Sequence, residues 1–238
     1  MLLMANGCSN THGMDSYNGE VCDENRNLAF PKHIADHFDM DYLNIAHPCV
    51  SNEYIAHTTI DWIENWIEDG GTCEELFIVI GLTASVRKTL VSDEYGIYTW
   101  NTGVKNGGIS AFTAEQFDIV EDYFKLWLEC DTSSDYHNST SYHHVNYLHL
   151  YLKEKNIKHF MINTCNMFTD YLPENRQYMK KLATYVECAS YNDRGCNMYP
   201  YYKNYKPAPR GHITGETHGL LGQKCIEYIT NHELLIDK

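Results

Sequence analysis

The run ELFIVIGL, over residues 75–82, constrains the fold of this 238-residue chain more than any other stretch. After Glu75 its branched and aromatic residues follow one another without a polar break, which is typical of a strand covered on both faces. Shorter apolar runs at residues 2–6, 41–46 and 158–164 predict three further strands. Strands of this kind occur mainly in parallel sheets that are flanked by helices.

Amphipathic helices are predicted between these strands. The clearest is SNEYIAHTTIDWIENWIED, which begins at a cap of Ser51 or Asn52 and stops at Gly70 and Gly71. Strand–helix alternation predicts one α/β domain over residues 1–238, a three-layer α/β/α sandwich with a mostly parallel, flavodoxin-like sheet. Other helices are predicted at residues 31–38, 113–130, around 145–152, 175–189 and about 217–229.

Two segments interrupt this alternation. A turn-rich excursion, with the character of a hairpin, is predicted at residues 92–112, and a long tyrosine-rich loop at 191–211. The net charge of −14, without a basic stripe, argues against a nucleic-acid partner. Nine scattered cysteines without a CxxC pair favour free thiols in a reducing compartment. No run approaches the roughly 18–20 apolar residues that span a membrane, so we expect a soluble, cytoplasmic protein.

The loop NGCSNTHG, residues 6–13, follows the first strand, where ligands bind in such sheets. It can be a tight turn with glycines and a hydroxyl cap. It can also be a hydroxyl-rich phosphate loop of the flavodoxin type, although the absence of a nearby lysine excludes a nucleotide P-loop. Finally, it can hold a nucleophile, Ser9, whose own N–H would join an oxyanion hole.

The end of the chain offers a base for such a nucleophile. In RGHITGETHGLLGQKCIEYI, His212 directly precedes the last predicted helix and His218 lies in its first turn. The loop before the last helix can return to the sheet edge that carries the first loop. Together, the two segments form a candidate Ser–His dyad.

These residues resemble the SGNH (GDSL-like) hydrolase family. GCSNTHG looks like its first block, Gly-Asp-Ser-x-Thr-x-Gly, and GHITGETHGLLGQKCIEYI looks like its last block. Between them, NIAHPCVSNEYI resembles the second block and IVIGLTASVR the third. The combination is similar to SGNH-like proteins encoded by tailed bacteriophages. The resemblance covers roughly residues 1–90 and 205–232.

The resemblance implies the roles of the site residues. Ser9 would be the nucleophile and His212 the base, with His218 as the helix-start residue. The oxyanion would be held by backbone N–H groups of Ser9 and Cys49. Arg87, just after the third strand, either forms an ion pair at a helix start, which we favour, or clamps an anionic substrate.

Four positions depart from the family pattern. Cys8 replaces the first-block aspartate, and Cys49 stands where the second block has a glycine. Thr83 or a neighbour stands at the third-block asparagine, so Asn52 or Thr83 would have to supply the missing oxyanion donor. Arg210 occupies the position of the triad acid. In its place, Glu216, Asp193 or a backbone carbonyl would orient His212.

We therefore expect a serine esterase or acyl hydrolase, with a carbohydrate esterase (deacetylase) as one form. The substrate would be a small-molecule or glycan ester, and the tyrosines of residues 191–205 favour a glycan. The alternative is an SGNH-shaped protein with a degraded site that binds a ligand or serves as a viral component. No cofactor and no metal are expected, although a flavin remains an alternative. The histidines His143, His144, His149, His33 and His37 lack a ligand set for a metal.

Overall fold

The structure, a computed structural model, describes residues 1–18, 22–84, 87–92, 96–100, 134–164 and 212–235. The predicted helices at 113–130 and 175–189, the loop at 191–211 and the excursion beyond Trp100 lie outside these residues.

Among the described residues, four parallel strands form the central sheet, in the order β2-β1-β3-β6. Their bounds are Leu2–Gly7 for β1, Asp41–Asn44 for β2, Leu76–Leu82 for β3 and Lys158–Asn163 for β6. Every residue of β3 is buried, as expected for a strand covered on both faces. Full burial of one large apolar side chain contributes about 1.5–3 kcal/mol, so β3 is a main source of stability.

Helices cover both faces of the sheet, which confirms the predicted α/β architecture. The helices are α1 (Ser9–His12), α2 (Asp23–Asn27), α3 (Phe30–His37), α4 (Asn52–Glu68), α5 (Ser134–Glu154) and α6 (Gly215–Asn231). Met4, Ile78 and Ile80 pack with α4 and α5 in one buried cluster. Leu3 and Val79, on the opposite side of the same strands, pack with α3 and α6 in another. The alternation of side chains along each strand thus divides the core into two layers.

Hydroxyl caps begin the two helices that flank the candidate site. Ser51 caps α4 by accepting a hydrogen bond from the N–H of Tyr54, and Thr214 caps α6 by accepting one from Thr217. The prediction of a cap at Ser51 or Asn52 is confirmed for Ser51. His212 lies two residues before Thr214, so it is close to the capped start of α6.

A separate antiparallel hairpin follows β3. It consists of β4 (Lys88–Ser92) and β5 (Gly96–Trp100), so the excursion begins at Lys88 and not at residue 92 as predicted. The hairpin is tied to the start of α4, because the N–H of Ser51 donates to Thr89 Oγ1 at 2.8 Å and Lys88 pairs with Glu53 at 2.6 Å. Among the described residues, no helix is both long and apolar enough to cross a membrane.

Candidate active site

Ser9 lies at the carboxyl edge of the sheet, immediately beyond β1. Cys8 is extended and Ser9 is the first residue of α1, so the backbone turns from strand to helix at the nucleophile candidate. The N–H groups of Thr11 and His12 both donate to the carbonyl of Cys8 at 2.9 Å. The first N–H groups of a helix have no acceptor within it, so this turn presents donors next to Ser9.

The two glycines of the loop are required by close contacts. A Cβ atom at Gly7 would lie 2.2 Å from Thr11 Oγ1, and one at Gly13 would lie 2.3 Å from the carbonyl oxygen of Asn25. Gly13 also has a φ of 84° and ends α1 by donating to the carbonyl of Ser9. The glycine pattern that marks this loop in the sequence therefore comes from tight packing around Ser9.

A carboxylate holds the base candidate. Nδ1 of His212 lies 2.8 Å from Oδ2 of Asp15, whose side chain is only 5% exposed. Asp15 has a φ of 64°, a left-handed conformation that Asp adopts more readily than most residues. Its own N–H donates to the carbonyl of Asn18, which closes the turn. A carboxylate at Nδ1 fixes the tautomer in which Nε2 is free to accept a proton.

The carboxylate that contacts His212 is one that the sequence analysis did not name. Glu216 is exposed in the first turn of α6, while the carboxylate on His212 comes from the loop after α1. Asp193 and Arg210 lie outside the described residues. Sequence reasoning missed Asp15, which stands only six positions after Ser9. An acidic residue in the loop that the histidine must approach was the available signal.

The other histidines near the loop have structural surroundings. His218 is fully buried, stacks on Phe30 and accepts a hydrogen bond from the N–H of Phe30 at Nδ1. Burial lowers the pKa of His218 to about 3, so its ring stays neutral. His12 is also buried, and burial, with Arg26 and His47 nearby, lowers its pKa to about 4. Between the two histidines of the last block, His212 is thus the one with a carboxylate partner.

Cys49 adopts the backbone conformation that a glycine would favour. Its φ of 70° lies in the left-handed region, at the position where the resemblance places a glycine. Burial raises the pKa of the Cys49 thiol, while nearby Arg87 lowers it and nearby Cys8 raises it further. The structure therefore brings residues of the first three sequence blocks close to one another. In the part of the chain that is described, the N–H of Cys49 forms no hydrogen bond.

Two hydrogen bonds join the side-chain amide of Asn52 to the backbone of Thr83. The N–H of Thr83 donates to Asn52 Oδ1 at 2.9 Å, and Asn52 Nδ2 donates to the Thr83 carbonyl at 2.9 Å and to Ser141 Oγ at 2.7 Å. Both protons of the Asn52 amide and the N–H of Thr83 are therefore used. In this arrangement the Asn52 amide joins the second and third blocks to α5, and an oxyanion role for Asn52 or Thr83 stays a prediction.

Comparison by sequence finds no relatives: no family model matches the chain, and no curated protein matches it. Solved structures are similar. A carbohydrate esterase family 2 enzyme with a carbohydrate binding domain, from Corynascus thermopiles (Myceliophthora fergusii), has a TM-score of 0.55 at 11% identity, over 98% of this chain and 66% of that chain. The psychrotrophic esterase EstA from Pseudoalteromonas sp. has a TM-score of 0.49 at 10% identity, over 97% of both chains.

The fold is of the SGNH hydrolase type. It agrees with the fold expected from the resemblance, and Ser9 follows directly after β1, at the carboxyl edge where ligands bind in α/β sheets. At such low identity the likeness concerns the fold alone.

Proposed function

We propose that this chain is a serine ester hydrolase in which Ser9 is the nucleophile, His212 the general base and Asp15 the positioning residue. The proposal is carried by the 2.8 Å contact between Asp15 Oδ2 and His212 Nδ1. This contact ties His212, just before the cap of α6, to the loop that follows α1, the helix that begins at Ser9. A histidine held there, with its far nitrogen available, is what a serine nucleophile requires.

The proposed reaction proceeds in two halves. His212 Nε2 takes the Ser9 proton as Oγ bonds to the ester carbonyl carbon, whose π electrons move to the oxygen. Collapse of this intermediate breaks the bond to the leaving alcohol, which receives the proton from His212. Water then attacks the acyl-enzyme and gives a proton to His212. Release of the carboxylic acid returns that proton to Ser9.

Backbone groups would stabilise the oxyanion. The N–H groups of Ser9 and Cys49 are the proposed donors, and the left-handed φ of 70° at Cys49 supports this because it turns the backbone without a glycine. Asn52 cannot add a third donor while it pairs with Thr83. Loss of one oxyanion donor typically costs about 10²–10³ in rate, so we expect slow turnover. For Arg87 we retain the interpretation that it forms an ion pair at a helix start and does not clamp the substrate.

The proposed substrate is a small-molecule or glycan ester. The carbohydrate esterase family 2 structure, similar in fold, supports the inclusion of acetylated sugars among the substrates to be tested. A bacteriophage origin remains a prediction from the sequence resemblance alone.

A second candidate is an SGNH-shaped binding protein that does not turn over. The observation that favours it is the use of both Asn52 amide protons for structural contacts, which leaves the oxyanion without a side-chain donor from this residue. In this case the Ser9 site would bind an ester or sugar without cleaving it.

Hydrolysis of p-nitrophenyl acetate and of an acetylated xylo-oligosaccharide separates the two candidates. We expect Ser9→Ala and His212→Ala each to lower the rate by about 10³-fold or more. His37→Gln, an exposed histidine at the end of α3, serves as the matched control and should retain the wild-type rate. Equal rates in the wild type and Ser9→Ala would overturn the hydrolase and favour the binding protein.

A further inference from the structure

A cavity whose lining includes neither Ser9 nor His212 lies between α4, α5 and the hairpin. Its volume is about 430 Å³, within the range of small-molecule sites, and all its lining residues are described. The cavity adjoins the second block, because Thr89, one of its lining residues, accepts the hydrogen bond from the N–H of Ser51.

Aromatic and aliphatic side chains form much of the cavity wall. Tyr54 and Tyr147 face it from α4 and α5, and Ile60 and Val91 add aliphatic surface. Tyr147 is 61% exposed and Val91 62% exposed, although both are large apolar-bodied side chains. Flat rings at the rim of a cavity offer a surface for stacking against the apolar face of a ligand.

Polar groups in the same wall restrict the ligand further. Glu53, His57, His144 and Thr89 also line the cavity. Within the described residues, His144 forms no hydrogen bond, and burial lowers its pKa, so its neutral ring has one donor and one acceptor. Glu53 binds Lys88 through one oxygen, Oε2. An acyl chain would desolvate the ring nitrogens of His144 and the second carboxylate oxygen of Glu53 without pairing them, at a cost in free energy.

The charge of the wall argues against an anionic ligand. Glu53 lines the cavity, where it pairs with Lys88, and the lining residues include no lysine or arginine that would bind an anion. The chemistry that remains is a ligand with apolar faces, several hydroxyl groups and no negative charge. We propose that this cavity is a non-catalytic binding site for a neutral saccharide, with Tyr147 as its stacking platform. The proposal does not depend on turnover at Ser9.

Saturation-transfer NMR and calorimetry with cellobiose, xylobiose, chitobiose and maltose test this site. Both the wild type and Ser9→Ala should bind at least one of these sugars. Tyr147→Ala should weaken binding about tenfold or more, and Val91→Arg, which fills the cavity mouth, should do the same. Tyr17→Ala is the matched control, because Tyr17 is 65% exposed on another part of the surface. It should bind as the wild type does.

Three results would overturn the saccharide site. They are no binding of any of the four sugars at millimolar concentration, binding of decanoate in their place, and loss of sugar binding in Tyr17→Ala but not in Tyr147→Ala. Sugar binding without ester hydrolysis would support the cavity while contradicting the hydrolase, so the two proposals fail separately.

Discussion

On the base side of the site, formed by Ser9, Asp15 and His212, a carboxylate from a new position contacts the histidine. On the oxyanion side, formed by Cys49, Asn52 and Thr83, the only amide side chain is used to join two blocks of the chain. A carboxylate can approach His212 from any loop, so its place in the sequence is free to change. An oxyanion donor must point at one small volume, so it is harder to replace. On the base side the histidine therefore has its carboxylate, although within the described residues no hydrogen bond joins Ser9 to His212, whereas the proposed oxyanion side would depend on backbone groups.

The largest expected effect comes from a substitution on the base side, at Asp15. Asp15→Asn preserves a residue that tolerates the left-handed φ but removes the charge that holds His212. We expect kcat on p-nitrophenyl acetate to fall by about 10³–10⁴-fold while KM changes by less than about twofold. A merely structural role for Asp15 would lower the melting temperature and leave kcat per folded molecule unchanged.

Glu216→Gln is the matched control for this comparison. Glu216 is the exposed carboxylate that the sequence suggested as the orienting group, and its removal should change kcat by less than about twofold. A loss as large as that of Asp15→Asn would contradict the assignment of Asp15.

The next largest effect, on stability, comes from a substitution on the oxyanion side, at Asn52. Asn52→Ala leaves the buried N–H and carbonyl of Thr83 and the hydroxyl of Ser141 without their amide partner. We expect a loss of about 2–3 kcal/mol in the free energy of unfolding by urea. Asn65→Ala, an exposed asparagine on the same helix, should change it by less than about 0.5 kcal/mol. Equal stabilities of the two variants would contradict a structural role for Asn52.

A smaller effect separates His218 from His212. The pKa of His218 is lowered in the folded protein, so the unfolded chain binds a proton below pH 6.5 that the folded chain does not. The stability linked to His218 is present above about pH 6.5 and is lost as the pH falls toward about 3. Between pH 7 and 5, His218→Gln should lose about 1–2 kcal/mol less than the wild type in urea unfolding. Equal losses would contradict the buried, neutral role.

The smallest effect is expected at Cys49, where substitutions test the backbone conformation of the oxyanion side. Cys49→Gly keeps the backbone N–H and relieves the left-handed φ, so activity should stay within about threefold of the wild type. Cys49→Val places a branched residue at the same φ and should cost about 1–2 kcal/mol in stability. A large loss of activity in Cys49→Gly, measured on p-nitrophenyl acetate, would indicate that the thiol itself takes part.

The sequence predicts the sheet well because the strands consist largely of apolar residues, and an apolar run indicates a buried strand. The run at residues 76–82 is apolar throughout, and every residue in it is buried. The short helix α2 was missed, since DENRN has no apolar period to reveal it. The position of Ser9 directly after β1 followed from the glycine pattern of its loop, and Cys49, which stands where the family has a glycine, has a left-handed φ of 70°.

Two parts of the site could not be read from the sequence for physical reasons. The contact between Asp15 and His212 spans 197 positions and depends on the turn at Asp15, which has a left-handed φ. The pairing of Asn52 with the backbone of Thr83 involves groups that every residue carries, so no side-chain pattern marks it. In both cases the fold of the chain, and not the local sequence, brings the two partners together.

The central claim is that Asp15 holds His212 with Nε2 free to accept a proton from Ser9. Its most direct test is the ¹⁵N NMR spectrum of the histidine rings at neutral pH, with His212 assigned by comparison with His212→Ala. We predict that the Nδ1–H tautomer of His212 dominates in the wild type, with loss of that preference in Asp15→Asn. A His212 protonated at Nε2 in the wild type, and unchanged in Asp15→Asn, would contradict the account.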